Sequence, residues 1–227
     1  MTNKESRYKE LIQQFENENP QFQILNKLGE GQFGVVFELN DGNAIKFTLD
    51  KRELRVCNAI IGNVNRHICN IYKMGELAHI VEGRHYKWVI EERLYENNWQ
   101  SRFNQAVSDF RHTWFCLFSP SISDGLNEDT LWEIYNRKDN KAVHRARELL
   151  EKYIQNINID EDRFYKLTEK EIEARLSDSL MFFDFILEAY HELLSICPFG
   201  RIDLNGGNFL FDKNGRLKTF DILTIDE

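Results

Sequence analysis

Three glycines, at 29, 31 and 34, sit in the stretch Leu28-Gly29-Glu30-Gly31-Gln32-Phe33-Gly34-Val35-Val36, with apolar residues on both sides. Glycine lets a backbone approach a ligand with no Cβ in the way, and bare N–H groups in such a turn can cradle phosphate oxygens. A plain hairpin needs glycines too, so the cluster gains meaning from its downstream neighbours. Asp41-Gly42 is a tight-turn pair. It leads into Asn43-Ala44-Ile45-Lys46-Phe47, an apolar strand with one lysine inside it. A buried ammonium is costly without an anionic partner. On these residues alone two readings of Lys46 stay open. Either an anion meets it, or its stem snorkels to solvent from an edge strand.

The elements that must position these residues follow from periodicity. Residues 24–39 read as strand, turn, strand. Asp50 to Ile61 reads as a helix with Leu54, Cys57, Ile60 and Ile61 on one face. Residues 71–94 read as two strands around Glu82-Gly83-Arg84. Residues 178–196 give an amphipathic helix, since Leu180, Phe183, Ile186, Leu187, Tyr190, Leu193 and Leu194 recur at three- and four-residue steps, and Pro198 ends it. Phe209-Leu210-Phe211, the turn Asp212-Lys213-Asn214-Gly215 and Leu217-Lys218-Thr219-Phe220 then read as a hairpin. Residues 1–21 read as a polar helical extension, and 95–175 as a helical stretch rich in aromatics, with a charged helix over 140–156. Met181, Phe182 and Phe185 place apolar surface on further faces of the 178–196 helix. The 95–175 stretch is expected to fold back and cover most of it.

Bulk properties bound the class. The chain has 227 residues, 42% of them hydrophobic and 29% charged, which suits a globular protein with one sizeable core or two small lobes. No run approaches 18 apolar residues, so no membrane span is expected, and the N-terminus lacks the apolar core of a secretory signal. A net charge of −8 argues against a nucleic-acid partner. Cys57, Cys69, Cys116 and Cys197 are widely spaced and form no CxxC, so they read as reduced thiols in a cytoplasmic protein.

In order and spacing these residues resemble the protein kinases. GEGQFGVV matches the glycine-rich loop pattern GxGxxGxV, and Ala44-Ile45-Lys46 matches the lysine motif of the third strand. Arg201-Ile202-Asp203-Leu204-Asn205-Gly206-Gly207-Asn208 carries the D-x-x-x-x-N core of the catalytic loop, and Asp221 stands where the family keeps its metal aspartate. The resemblance implies an α+β, two-lobed fold. Its parts would be an N-terminal extension (1–21), a β-rich N-lobe with hinge (22–94), and a C-lobe (95–227) with a helical insert (95–175) and a catalytic loop and metal hairpin (198–223). It implies ATP and Mg²⁺ (or Mn²⁺) as cofactors. Gly29, Gly31 and Gly34 would cover the phosphates, Lys46 would pair with them and with Glu53, and Val36 and Ala44 would flank the adenine. Ile90 would be the residue behind the base, with Glu91 to Arg93 in the hinge. Asp203 would take the acceptor's proton, while Asn208 and Asp221 would hold the metal.

The departures carry expectations of their own. Arg201-Ile202 replaces the His-Arg before the catalytic aspartate, Asn205 stands at a lysine position, and Asp221-Ile222-Leu223 replaces DFG. Six residues follow Asp221, so the C-lobe reads as truncated, without an activation segment or later helices. Short type III secretion effector kinases and phage-encoded host-modifying kinases look similar in this respect. The expected activity is serine/threonine phosphorylation of a host or partner protein that docks as a folded body, in the host cytoplasm if the chain is an effector or phage protein. Three other readings remain: a pseudokinase-like binding module, a small-molecule kinase of the aminoglycoside type, and a nucleotide-binding antitoxin or immunity component, for which the sequence offers no handle. No oligomeric state follows from the sequence.

Overall fold

The structure, a computed structural model, describes residues 3–98, 100–118, 140–156 and 167–224. Alternating apolar residues and turn glycines put β1 (Ile24–Glu30), β2 (Gly34–Leu39), β3 (Ala44–Thr48), β4 (Ile71–Glu76) and β5 (Lys87–Glu91) into one antiparallel sheet. The strand order is β1-β2-β3-β5-β4. Between β2 and β3 a short loop closes with Gly42 N–H donating to the Leu39 carbonyl (3.0 Å) and Leu39 N–H to that of Asn43 (2.9 Å). Gly42 has φ +84°, a left-handed conformation that glycine adopts without cost.

The two faces of this sheet are covered differently. On one face lies α1 (Asn3–Glu18), with Leu11 and Phe15 fully buried. The Phe15 ring meets Trp88 at 5.3 Å and Phe47 at 6.0 Å, both edge-on. Within residues 1–21, expected as a polar helical extension, α1 is helical and supplies one wall of a core with Phe37, Leu39, Ile45 and Ile90. Gly75 is needed there, since a Cβ would lie 2.4 Å from the Trp88 ring.

Toward the other face lie α2 (Lys51–Ile60) and a larger core built with α3 (Gln100–Phe118), α4 (Asn140–Gln155) and α5 (Glu169–Ile196). Asp50 caps α2, its carboxylate accepting from the N–H groups of Arg52 and Glu53. Phe110 of α3 stands 5.6 Å from Phe182 and 5.7 Å from Phe183. Ala146, Leu150 and Ile154 of α4 are buried in the same core. So α3 and α4 cover Phe182 and Phe183, while Met181 stays half exposed. Helix α5 begins nine residues before the 178–196 pattern. Thr168 and Glu171 form a reciprocal capping box that fixes its start, a signal the apolar spacing does not contain.

Two short ribbons complete the chain: β6 (Gly200–Ile202) pairs with β9 (Ile222–Thr224), and β7 (Phe209–Phe211) with β8 (Leu217–Thr219). They are stitched to the sheet-bearing half. Thr219 N–H donates to the His67 carbonyl (2.8 Å), and Tyr95 and Phe211 exchange backbone bonds of 2.7 and 2.9 Å. The fold is α+β, with a β-rich N-terminal antiparallel sheet and a helical C-terminal part. Among the described residues no helix is long and apolar enough to cross a membrane. Cys57, Cys69 and Cys197 are free and buried, and the Cys116 side chain lies outside the described residues, as do positions 119–139 of the helical insert.

Candidate functional site

Strand alternation decides which side chains of β3 and β5 share a surface. Ala44 pairs with Glu91 and Lys46 with Val89, so these four point to one face, while Ile45, Phe47, Trp88 and Ile90 point to the other. The first face forms the back of a cleft of about 690 Å³. Its walls include Gly29, Gly31, Gly34 and Val36 from the β1–β2 region, Ala44 and Lys46 from β3, Glu53 from α2, and Glu91 at the end of β5. From the C-terminal half come Asp203, Asn208 and Asp221. These groups, separated by up to 192 positions between Gly29 and Asp221, therefore face one another.

Two of the expected residues lie elsewhere. Ile90 is buried in the α1-side core, because residues adjacent in a strand point to opposite faces, so Glu91 rather than Ile90 stands behind the cleft. Arg93 turns away as well. Its guanidinium pairs with Glu38 on β2 and stacks 4.9 Å over the Tyr95 ring.

Lys46 Nζ bonds the Glu53 carboxylate at 2.5 Å and also meets Asp221. Of the two readings its sequence context allowed, anionic partners are the observed one. Thr48 Oγ1 donates to the other Glu53 oxygen (3.1 Å), so the carboxylate is held from two sides. The connection from β3 to α2 is Leu49-Asp50 alone, and the Asp50 cap brings Glu53 back over Lys46 within one helical turn.

Three carboxyl groups, Glu53, Glu91 and Asp221, surround one ammonium. Burial pulls the Lys46 ammonium down, but the charges of Glu53, Asp221 and Glu91 outweigh it and raise it above its ordinary range. One cation cannot neutralise three anions. Burial, working against the pull of Lys46, accordingly lifts Glu53 to about 7 and Glu91 to about 8. A divalent cation is the kind of ligand that would relieve this surplus.

The donors suit a hard ion. Asn208 Nδ2 donates to Asp203 Oδ2 at 2.7 Å, which leaves the amide oxygen as an acceptor, and Asn208 lines the same cleft as Asp221. Oxygen donors of this kind suit Mg²⁺ or Mn²⁺. Asn205 Oδ1 accepts from Gly207 N–H (3.3 Å), and Asn208 N–H donates to the Asn205 carbonyl (2.9 Å), which folds 203–208 into a tight loop. Phe220 N–H donates to the Asn208 carbonyl (3.1 Å), tying that loop to Asp221. Asp221 itself has φ +54°, a conformation seldom held by non-glycine residues and one that recurs where a side chain must be aimed. Arg201 is fully buried, with Nη1 donating to the Gly200 carbonyl (2.7 Å).

One supporting group escaped the sequence reading. Lys218 on β8 is buried, and its ammonium bonds Glu92 (2.6 Å) and the Asn65 carbonyl (2.8 Å), while Asn70 Nδ2 holds the same Glu92 oxygen at 2.8 Å. This ties the segment after β5 to the hairpin that leads into Asp221. The signal was present: Lys218, like Lys46, is one lysine inside an apolar strand.

At Gly29 and Gly31 a Cβ would meet nothing within 4 Å, so the backbone there borders open space, whereas at Gly34 a Cβ would lie 2.5 Å from the Phe47 carbonyl. Glycine at 29 and 31 thus leaves room for a ligand, and glycine at 34 permits the close β2–β3 approach. No protein-family model and no curated protein gives a match to this chain.

Proposed function

We propose that this protein is an ATP-dependent phosphotransferase with a two-lobed, protein-kinase-like fold, acting on a serine or threonine hydroxyl of a partner protein. The observation that carries this reading is the convergence on one cleft of Lys46 paired with Glu53, Asp203 paired with Asn208, and Asp221, beneath a glycine-rich turn. Phosphoryl transfer asks little covalent chemistry of the protein and depends on positioning and charge neutralisation. Lys46, fixed by Glu53, would meet phosphate oxygens. Asp203 would accept the proton of the acceptor hydroxyl as its oxygen bonds the γ-phosphorus and the bond to the ADP oxygen breaks. Asn208 and Asp221 would hold a divalent ion, which supplies charge neutralisation at the phosphates when bound. The alternatives of a binding module or a small-molecule kinase draw no separate observation from the site.

The test is a thermal-shift titration with MgATP. Stabilisation should rise with the logarithm of ligand concentration above Kd. It should weaken at least about tenfold in apparent affinity in Lys46→Ala, the scale of a lost charge-assisted hydrogen bond. A wild-type protein that shows no shift, or a Lys46→Ala protein with the full shift, contradicts the reading.

A further inference from the structure

We propose that Tyr8 of α1 is a positioning residue for the glycine-rich turn. Its ring holds Lys27, Lys27 holds Glu30, and Glu30 fixes where the turn begins, so that α1 sets how tightly the phosphates of the nucleotide are covered. This rests on the nucleotide-binding reading above and adds to it a residue outside the cleft.

The placement follows from spacing and register. Tyr8, Leu11 and Phe15 recur at three- and four-residue steps and form one stripe of α1, turned to the sheet. Phe15 packs among the rings of Phe22, Phe47 and Trp88. Tyr8, about two helical turns earlier, meets Phe37 edge-on at 6.0 Å, and the Lys27 ammonium stands 4.9 Å from the centre of its ring. Lys27 and Phe37 are opposite one another in the β1–β2 register, which puts both side chains on the α1 face. Glu30 is opposite Val35, a residue of the α1-side core, and its carboxylate bonds Lys27 Nζ at 2.5 Å.

Glu30 is the last residue of β1, and the turn starts with the next. Gly31 N–H donates to the Gly34 carbonyl (2.9 Å), and Leu49 N–H donates to that of Phe33 (3.0 Å). Leu49 thus fastens the far side of the turn, and the relay from Tyr8 through Lys27 to Glu30 fastens the near side. Behind the turn, Tyr8 and Leu11 face Gly31, Gln32 and Phe33 across a gap of about 30 Å³. That is room for no more than a water or two, so little space is left for the turn to swing back from the cleft. Its glycines bring no side chains that could hold it, and its position is set by neighbours. An exposed ion pair such as Lys27 with Glu30 contributes little alone, because two long side chains must be kept in one geometry. The ring beside the ammonium adds a cation–π contact and gives the pair a fixed end.

The experiment measures MgATP affinity by titration calorimetry, below each protein's melting temperature, for wild type, Tyr8→Leu, Tyr8→Phe, Lys27→Gln, the Tyr8→Leu/Lys27→Gln double variant and Phe15→Leu. Tyr8→Leu and Lys27→Gln should each weaken binding by about threefold, the scale of one exposed cation–π contact. Because they break the same relay, the double variant should stay near threefold rather than reach the roughly ninefold of independent effects. Tyr8→Phe keeps the ring and loses only a long bond from Arg7 Nη2 to the hydroxyl (3.5 Å), so it should bind within about twofold of wild type. Phe15→Leu loosens the core without touching the relay, and should lower the melting temperature while leaving affinity within about twofold. The assignment of Tyr8 is overturned, and nucleotide binding stands, if Tyr8→Leu, folded by its own melting curve, binds MgATP as wild type does. The same holds if Tyr8→Phe loses as much as Tyr8→Leu, if the two single effects add, or if Phe15→Leu gives the same loss. If wild type binds no MgATP, the nucleotide reading fails and this assignment fails with it.

Discussion

The two faces of the five-stranded sheet are built from the same strands and carry opposite chemistry. Toward α1 the strands send Ile45, Phe47, Trp88 and Ile90, which close against Leu11 and Phe15 in an apolar, aromatic core. Toward the cleft they send Ala44, Lys46 and Glu91, and there one ammonium stands among three carboxyl groups. A period of two residues is enough to separate a stabilising face from a chemical one. The apolar face contributes burial, which is worth roughly 1.5–3 kcal/mol per large side chain. The cleft face holds charges that are costly to bury and that only a ligand would fully offset.

The largest effect expected from breaking this division is on the α1 face. Phe15→Ala removes a fully buried ring that touches both Phe47 and Trp88, and should destabilise the fold by about 3–5 kcal/mol. In chemical denaturation the midpoint should fall with an unchanged slope. Nucleotide affinity of the folded fraction should stay the same, since no cleft residue is touched. A loss of affinity with intact stability would show that the two faces are not independent.

A smaller effect sharpens the comparison from the cleft side. The Glu91 carboxyl is raised to about 8 in the folded protein. Between its ordinary range near 4 and that value the folded state binds more protons than the unfolded chain, so this group's contribution to stability falls as pH rises through the window. Glu91→Gln removes that loss. The melting temperature of the variant relative to wild type should increase by about 2 °C or more between roughly pH 5 and pH 8, which corresponds to a fraction of the full shift for a half-exposed group. A difference that stays constant with pH would show that Glu91 is ionised throughout.

How far the sequence reaches differs between the two faces. The cleft was legible because it consists of unusual residues in unusual places. Lys46 inside an apolar strand, Gly29 and Gly31 in sequence, and Asp203 five positions before Asn208 each stand out one at a time, and the structure brings them together. The exception is Ile90. A strand that reads Trp-Val-Ile-Glu is apolar for three residues, so composition does not say which of two neighbours faces the cleft, and pairing with β3 does. The packing of α1 was not legible. Leu11 and Phe15 stand among polar residues, and their burial depends on Phe47 and Trp88, distant in the chain. The start of α5 at Thr168 was missed because capping is a local hydrogen-bond pattern, and apolar spacing does not report it.

The most direct test of the cleft's role is Mg²⁺-dependent transfer or release of labelled γ-phosphate from ATP, measured for wild type and for Asp203→Ala. The Asp203 carboxylate accepts from Asn205 and Asn208 in its own loop, so the variant should fold and should bind MgATP as wild type does. Its turnover should fall by roughly 10² or more, the scale for loss of a positioned general base. Turnover by Asp203→Ala at the wild-type rate, or no Mg²⁺-dependent turnover in wild type that demonstrably binds MgATP, would contradict phosphotransfer at this site.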